Sequence, residues 1–477
     1  MNKIKMNKSK LGVVIADGVG YRNFVMSDFI KHASKEYEEV IIYSGLIESI
    51  YSELKFDNVT IRELDIYKER KISWFFRKLK EVGHLKKHMS FFGIKDSYET
   101  IKPKKIKSVT SFLNHVVFFI TKIFYSEKHI KFFEVLQYKS FRKSSTFKKY
   151  ISFLEEDLPD HLFFTHQRPY NIAPLLGAAK KMNISTSSFI FSWDNLASKG
   201  RMLGEFDGYL TWSQLMKDEL KYFYPNSSSK SIKIVGTPQF EPYILERYDV
   251  NKEEFYKRFS LNIEKKIIYY SCGDVSTSKL DPLYIETIAK AIEENLILNV
   301  NFIVRTSPAE DETRFIEIKN KFPFIIWNFP DWNLTREYHN EAWSQRVPSF
   351  KDVVDLRALL TFSDVNINMC STMGLDIMLF DKPVINSVFG NKKNRLYNDQ
   401  KYLNYIHYDK VVKSGAVVVA KTEKALIDSI VNALEHPEKL SKKRKELLNL
   451  QIGAPLKGTS KRIVEAIKSI SLEEYNI

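Results

Sequence analysis

The sequence predicts an α/β protein built on two parallel β-sheets, each covered by helices on both faces. Three observations carry that prediction. Short apolar, β-branched runs alternate with helical patterns almost from end to end, which is the rhythm of strands joined by crossover helices. Near residues 237–262 the rhythm breaks at Pro238, Pro242 and a charged helical segment, and then it restarts. The chain is 477 residues long, beyond the ~250–300 residues at which a single core stops growing. The expected organisation is an N-terminal domain over 1–240, a linker over 241–262, a C-terminal domain over 263–455 and a closing helix over 456–477.

In the first half, "KLGVVIAD" reads as a strand, "NFVMSDFIKHASKEY" as a helix and "EVIIYSG" as the next strand. "HLFFTH", "STSSFIF", "GYLTW" and "SIKIVG" follow as strands, with helices such as "IAPLLGAAKKMN" between them. In the second half the strands are "KKIIYYSCGD", "VNFIVRTSP", "FPFIIWNF", "DVNINMC" and "KPVINSV". "PLYIETIAKAIEEN", "VVDLRALLTFS" and "STMGLDIMLF" read as helices. The last helix follows the turn "IGAPLKGTS".

The net charge of +15 is concentrated. Residues 70–150 hold twenty lysines and arginines against five carboxylates, so this window carries the whole excess. It also contains "SWFFRKLK", "FLNHVVFFITKIFY" and "KFFEVLQYKSF", in which phenylalanines alternate with lysines. The window is expected as a basic aromatic helical insertion in the N-terminal domain. One reading places its lysines on an anionic membrane surface with aromatic faces dipped beneath the headgroups. The other packs its apolar stripe on its own domain. No nucleic-acid-binding motif accompanies the cations, so no nucleic-acid partner is expected. Two cysteines, Cys272 and Cys370, are too few for a disulfide framework, and no stretch matches a signal peptide or a membrane span. The expected location is the cytoplasm, peripheral on the inner face of the membrane.

In open α/β sheets, ligands bind outside the carboxyl ends of the strands, and polar clusters stand at those ends here. "ADGVGYRN" follows the first strand. It lacks the third glycine of a dinucleotide fingerprint, but Gly18 and Gly20 let a backbone approach a ligand beside Asp17 and Arg22. "THQRPYN" supplies His166 and Arg168, and "SWDNLASKGR" supplies Trp193, Asp194, Asn195, Lys199 and Arg201. In the second half, "YYSCGD" ends in Ser271, Gly273 and Asp274, and "FIVRTSP" ends in Arg305, Thr306 and Ser307. "NMCSTMGLD" places Ser371 and Thr372 at a helix start, where free amides favour an anion, with Asp376 one turn deeper. Each has a structural alternative: Asp17 as a turn former, Asp194 and Ser371–Thr372 as helix caps, Trp193 as a packing residue and Arg305 as an ion-pair partner.

"SWDNLASKGR", "VGTPQFEPY", "VRTSP" and "CSTMGLDIMLFDKPVI" together resemble the GT-B glycosyltransferases that build bacterial surface polysaccharides, and their CDP-glycerol glycerophosphotransferase neighbours. The resemblance covers most of residues 160–465 and fades over 50–150. It implies two Rossmann-like domains across a cleft, with a nucleotide donor on the C-terminal one and an acceptor on the N-terminal one. It puts Ser371, Thr372 and Asp376 at the donor's phosphate and ribose, and Arg305 on the donor side. Relatives often carry His before the proline of this motif, where Ser307 stands, so a His role does not transfer.

The expected function is transfer of a sugar from a nucleotide-sugar to a glycan or lipid-linked acceptor, inverting, with no metal or cofactor. Candidate bases are Asp17, Asp194 and His166, with Asp17 preferred because its loop shows no capping pattern. Polyol-phosphate transfer from a CDP-polyol is the alternative on the same fold. A non-catalytic glycan- or nucleic-acid-binding protein is the alternative of another class.

Overall fold

The structure, a computed structural model, describes residues 9–475 except 309, 340 and 391–397. It divides into two compact units. Unit 1 comprises Met1–Glu241, Thr335–Gln345 and Ile452–Ile477, and unit 2 comprises Pro242–Leu334 and Arg346–Gln451.

Unit 1 is built on a seven-stranded, all-parallel sheet. Its strands are β1 (Lys10–Ile15), β2 (Glu39–Ser44), β3 (Val59–Glu63), β4 (His161–Phe164), β5 (Ser185–Phe189), β6 (Gly208–Thr211) and β7 (Ser231–Ile234). Their order is β3-β2-β1-β4-β5-β6-β7, so the direction of winding reverses between β1 and β4. β1, β2 and β4 are buried along nearly their whole length, as expected for strands covered on both faces. Gly12 allows the tight fit of β1 on β4: a Cβ there would lie 2.2 Å from Leu162 Cδ2.

Helices α1 (Gly18–Phe24) and α2 (Phe29–Glu36) follow β1. Between β3 and β4 lie α3 (Lys71–Lys87), α4 (Phe92–Ile101), α5 (Val109–Thr121), α6 (Glu127–Phe141) and α7 (Ser145–Asp157). α3 is the hub of this group and packs against α4, α5 and α6. Its inner side buries Ser73, Lys80 and His84. Lys80 Nζ donates to the Leu203 carbonyl at 2.6 Å, and burial pulls its pKa down to about 8. The inner side of the basic window is therefore anchored to the body of unit 1. Helices α8 (Ala173–Lys181), α9 (Asn195–Ser198) and α10 (Gln214–Phe223) complete the crossovers.

Unit 2 carries a six-stranded parallel sheet of order β10-β9-β8-β13-β14-β15. Its strands are β8 (Lys266–Ser271), β9 (Val300–Arg305), β10 (Ile326–Asn328), β13 (Val365–Asn368), β14 (Val384–Ser387) and β15 (Val418–Ala420), while β11 (Trp332–Leu334) and β12 (Arg346–Pro348) form a separate antiparallel pair. Its helices are α11 (Lys252–Arg258), α12 (Asp281–Glu293), α13 (Ile316–Lys321), α14 (Phe350–Phe362), α15 (Met373–Met378), α16 (Ile406–Ser414), α17 (Glu423–Glu435) and α18 (Ser441–Ile452). The segment 241–262, expected as a linker, carries α11, which packs on α14. The final helix, α19 (Thr459–Tyr475), packs against α2, β5 and β6 of unit 1. Gly208 leaves room for it, since a Cβ there would meet Ile470 at 2.5 Å.

Candidate functional site

In unit 1 the reversal of winding places two strand ends side by side, and polar side chains from both meet there. Asp17 follows β1 and His166 follows β4. Their contact, Asp17 Oδ2 to His166 Nδ1, is 3.0 Å. A carboxylate only accepts, which assigns a ring proton to Nδ1; in the neutral imidazole the lone pair is then on Nε2. The other oxygen, Asp17 Oδ1, accepts the Gly20 amide at 2.7 Å and caps α1. Asp17 thus has the structural duty that its local sequence did not reveal, with both oxygens engaged and the side chain buried. The His166 ring stacks on Phe191, with centroids 3.9 Å apart and planes 16° from parallel.

This pair opens onto a cavity of about 570 Å³, within the size range of small-molecule sites. Arg168, Asp194, Asn195 and Lys199 also line it. Asn195 accepts from Gln167 at 3.1 Å and donates to Asp194 at 3.1 Å, while Gln167 accepts the Phe191 amide at 3.1 Å. Gln167 thereby ties the end of β4 to the end of β5. Lys199 lies 3.5 Å from Asp194. Among the described residues no carboxylate pairs with Arg168, and its Nε is buried without a partner.

Trp193, Arg201, Arg22, Gly18 and Gly20, all expected at the site, do not line this cavity. Trp193 is buried and does not line the cavity; its indole is a packing residue. Arg201 is buried against Glu127 at 2.5 Å and lies over the Tyr224 ring, tying the loop after α9 to α6. Arg22 is buried and donates to the Gln239 carbonyl at 3.4 Å. Gly18 and Gly20 belong to the first turns of α1, and a Cβ on Gly20 would come 3.2 Å from Thr165 Oγ1. Asp194 stands at the start of α9 but makes no side-chain capping bond.

The cavity also has walls that the sequence did not announce. α3 contributes Arg77, Lys78 and Glu81. Arg77 is locked by Glu69 (2.6 Å) and Glu81 (2.8 Å) and lies over Tyr170. The segment 335–345 contributes Glu341, Trp343 and Ser344; it is held by Arg336, which pairs with Glu63 at 2.7 Å. Trp343 is half exposed, so it and Phe191 supply the apolar faces expected of Trp193.

Unit 2 repeats the arrangement: its winding reverses between β8 and β13. After β8, Gly273 approaches Ser278 so closely that a Cβ would lie 2.7 Å from the serine Cβ. Asp274 closes this loop by accepting from the Ser276 amide (2.8 Å) and from Thr277 Oγ1 (3.0 Å). After β13, Cys370 adopts a left-handed conformation with φ of 50°, a strained turn of the sort that clusters at ligand sites. Ser371 and Thr372 follow: Thr372, the N-cap residue of α15, makes no side-chain capping bond, whereas Ser371 Oγ accepts the Met373 amide at 3.3 Å. The Ser371 amide donates to Asn368 Oδ1 at 2.9 Å. Asn368 in turn bonds Asn366 (2.7 Å) and Asn386 (3.0 Å), and Asn366 reaches Ser271 Oγ at 3.1 Å. This buried asparagine ladder fixes both strand ends, and it was not singled out from sequence.

Asp376 is buried and accepts from Tyr243. Thr306 is buried, and Ser307 is buried beside it. Arg305 is also buried: it donates to Asp352 at 2.8 and 2.9 Å and to Asn328. Asp352 neutralises its charge, so the structure gives Arg305 the ion-pair role.

Asp281, at the start of α12, holds the 272–280 loop by accepting from Gly273 N (3.0 Å), Tyr270 (2.6 Å) and Ser278. Burial pushes its pKa up to about 7, against the opposing pull of Ser278, Tyr270 and Arg314. With the folded value above the unfolded one, the folded state holds a proton that the unfolded state has lost between about pH 4 and 7. Stability from this group is complete at the acid end and is lost as pH rises through 7, by at most ~1.4 kcal/mol per pH unit. The melting temperature of Asp281→Asn is expected to lose that slope between pH 5 and 7. An unchanged slope would locate the titration elsewhere.

No family profile and no curated protein matches the chain. Solved structures do resemble it. One is UDP-GlcNAc 2-epimerase from Neisseria meningitidis bound to UDP-GlcNAc, with 12% identity, TM-score 0.54 and coverage of 96% of this chain and 100% of the other. UGT89C1 of Arabidopsis thaliana aligns at 11% identity and TM-score 0.52, over 97% and 100%. A glycosyltransferase from Rickettsia africae aligns at 12% identity and TM-score 0.50, over 97% and 99%. At such identities the likeness speaks for architecture, and with two parallel sheets wound in the same sense it supports one conclusion: the chain has the GT-B fold.

Proposed function

We propose that the protein transfers a sugar from a nucleotide-sugar to the hydroxyl of a second molecule bound in the cavity of unit 1. The observation that carries this is the Asp17–His166 contact of 3.0 Å at the wall of that cavity. His166 Nε2 takes the proton of the acceptor hydroxyl as its oxygen attacks the anomeric carbon. The bond from that carbon to the nucleotide diphosphate breaks, and the diphosphate leaves with the electron pair. A single displacement of this kind inverts the anomeric centre. His166, rather than Asp17, is the base, because both Asp17 oxygens are already engaged. Asp17 positions the ring and stabilises the imidazolium that forms.

Trp343 and Phe191 offer apolar faces to a sugar ring, and Asn195, Ser192 and Lys199 offer partners to its hydroxyls. Arg168, which pairs with no carboxylate among the described residues, suits an anionic group on the acceptor, such as the phosphate of a lipid-linked glycan. On unit 2, the Gly273 loop and the Ser371–Thr372 turn suit the donor's phosphates, with Thr306 and Ser307 beside them and Asp376 supporting the turn through Tyr243. An acceptor cavity walled by a charged insertion favours transfer over epimerisation, which needs one substrate only.

Thermal shift against UDP, GDP, CMP, CDP and dTDP tests the donor side, since a ligand bound only to the folded state raises its melting point. One nucleotide is expected to stabilise the protein. Thr372→Ala is expected to weaken it by about tenfold or more, the loss of one hydrogen bond to a charged group at ~1.5–3 kcal/mol. Stabilisation by CDP alone would favour polyol-phosphate transfer. Conversion of a nucleotide-sugar to its epimer with no acceptor present would sink the transferase reading.

A further inference from the structure

We infer that the outer side of residues 101–125 is a docking surface for an anionic lipid bilayer. Helix α5 has two apolar sides. Val117, Phe118 and Thr121 are buried, in a helix that packs on α3. The opposite side carries Val109, Phe112 and Phe119, exposed to 64%, 52% and 67%. Ile123, at 63%, extends the stripe, because its amide bonds the Ile120 carbonyl at 3.1 Å and continues the turn. Spacings of three, seven and four residues put these four on one helical stripe. Among the described residues, nothing in the body of unit 1 covers them.

The charge beside the stripe is one-sided. From residue 100 to 126 the sequence holds five lysines and no carboxylate. Lys102 pairs with Glu99 at 3.2 Å; among the described residues Lys104, Lys105, Lys107 and Lys122 pair with none. Ile106, among these lysines, is 61% exposed. A partner for this surface must present negative charge and also absorb aliphatic side chains. An anionic bilayer does both, with lysines at the headgroups and Val, Ile and Phe below them. Nucleic acid would stack the phenylalanines but offers nothing to Val109, Ile106 and Ile123. No helix among the described residues is long and apolar enough to cross a membrane, so the segment would lie in the interface plane. α5 rests on α3, the helix whose Arg77, Lys78 and Glu81 wall the unit 1 cavity. Docking thus sets that wall one helix away from the lipid surface, where a lipid-linked acceptor would be found.

The test uses the full chain and needs no donor or acceptor, so its outcome is independent of the transfer reading. Co-sedimentation is measured with vesicles of equal parts phosphatidylglycerol and phosphatidylcholine, and with phosphatidylcholine alone. Binding to the mixed vesicles only, weakened by added salt, is expected. K104Q/K105Q/K107Q should reduce it on the order of a hundredfold, at the several-fold that each lysine contributes near an anionic surface. F112S/F119S should reduce it at least tenfold with the melting temperature unchanged. Absence of binding to either vesicle, or equal binding to both, would overturn the proposal. So would tighter binding to an oligonucleotide than to the mixed vesicles. A dimer in light scattering that F112S/F119S dissociates, without vesicle binding by the wild type, would assign the stripe to a second copy and overturn it as well.

Discussion

Replacing His166 with alanine is expected to lower turnover by about two to four orders of magnitude, the range that a positioned general base supplies, with nucleotide affinity unchanged. Asp17→Asn is the sharper experiment. Asparagine still caps a helix through its side-chain oxygen, so the Gly20 amide keeps an acceptor and the melting temperature should stay within a degree or two. Its amide nitrogen cannot accept the Nδ1 proton, however, and the ring is driven to the wrong tautomer. In a comparable His–Asp arrangement that change costs ~10⁴ in turnover. Asp17→Ala removes both contacts, so it should add the loss of a cap, about 1 kcal/mol, to the same loss of turnover. If Asp17→Asn turned over at near the native rate while His166→Ala did not, Asp17 would have no part in orienting the ring. If His166→Ala itself were fully active, the base would have to be sought at Asp194.

The second large effect concerns stability. Asp352 is buried, accepts two bonds from Arg305, and also accepts from the Asp331 amide (3.0 Å) and Trp332 Nε1 (2.9 Å). Burial alone would raise its pKa, but the Arg305 guanidinium outweighs that and holds the carboxyl below its ordinary range. The pair therefore contributes stability at neutral pH that is lost as pH falls through the lowered pKa. Asp352→Ala leaves a guanidinium buried without its counter-charge, at a cost of ~3–5 kcal/mol. At the ~2–4 °C per kcal/mol that applies to units of this size, the melting temperature of unit 2 should drop by about ten degrees. Replacing both residues by apolar ones of similar volume should recover much of that loss. A single variant that melts with the wild type would show that the pair is not held away from water.

The strands that carry the site were legible because they are buried on both faces and read as unbroken apolar runs. β1, β4 and β8 are of this kind apart from polar residues at their ends, whereas β13, "VNIN", alternates apolar residues with asparagines and is buried all the same. β3, "VTIRE", is an edge strand with a half-exposed pattern, and β15, at three residues, is too short to establish a two-residue alternation; both escaped notice. Asp17 and His166 were each visible as polar residues directly after a buried run. Their pairing was not visible, because it depends on β1 and β4 being neighbours while 149 positions separate the two side chains. Local sequence also misjudged which aromatic faces the cavity. Trp193 stands in the richest polar motif yet points into packing, whereas Trp343 stands in an unremarkable stretch that the chain delivers from far away. Arg305 looked like a cation at a strand end, since its neutralising partner lies 47 residues on.

Unit 1 is assembled from three separated pieces of chain, and the last of them is α19. On the ribosome, the first 241 residues emerge with β5 and β6 complete but without the helix that covers them. Ile463, Val464, Ile467 and Ile470 of that helix are buried in the finished protein, so their docking site is exposed throughout the synthesis of unit 2. Domains usually mature in the order in which they are made. Here the later-made unit can close first, and the earlier one must wait until α19 has been made. Growing chains stalled after residue 451 should therefore be more open to protease in the N-terminal unit than in the C-terminal one.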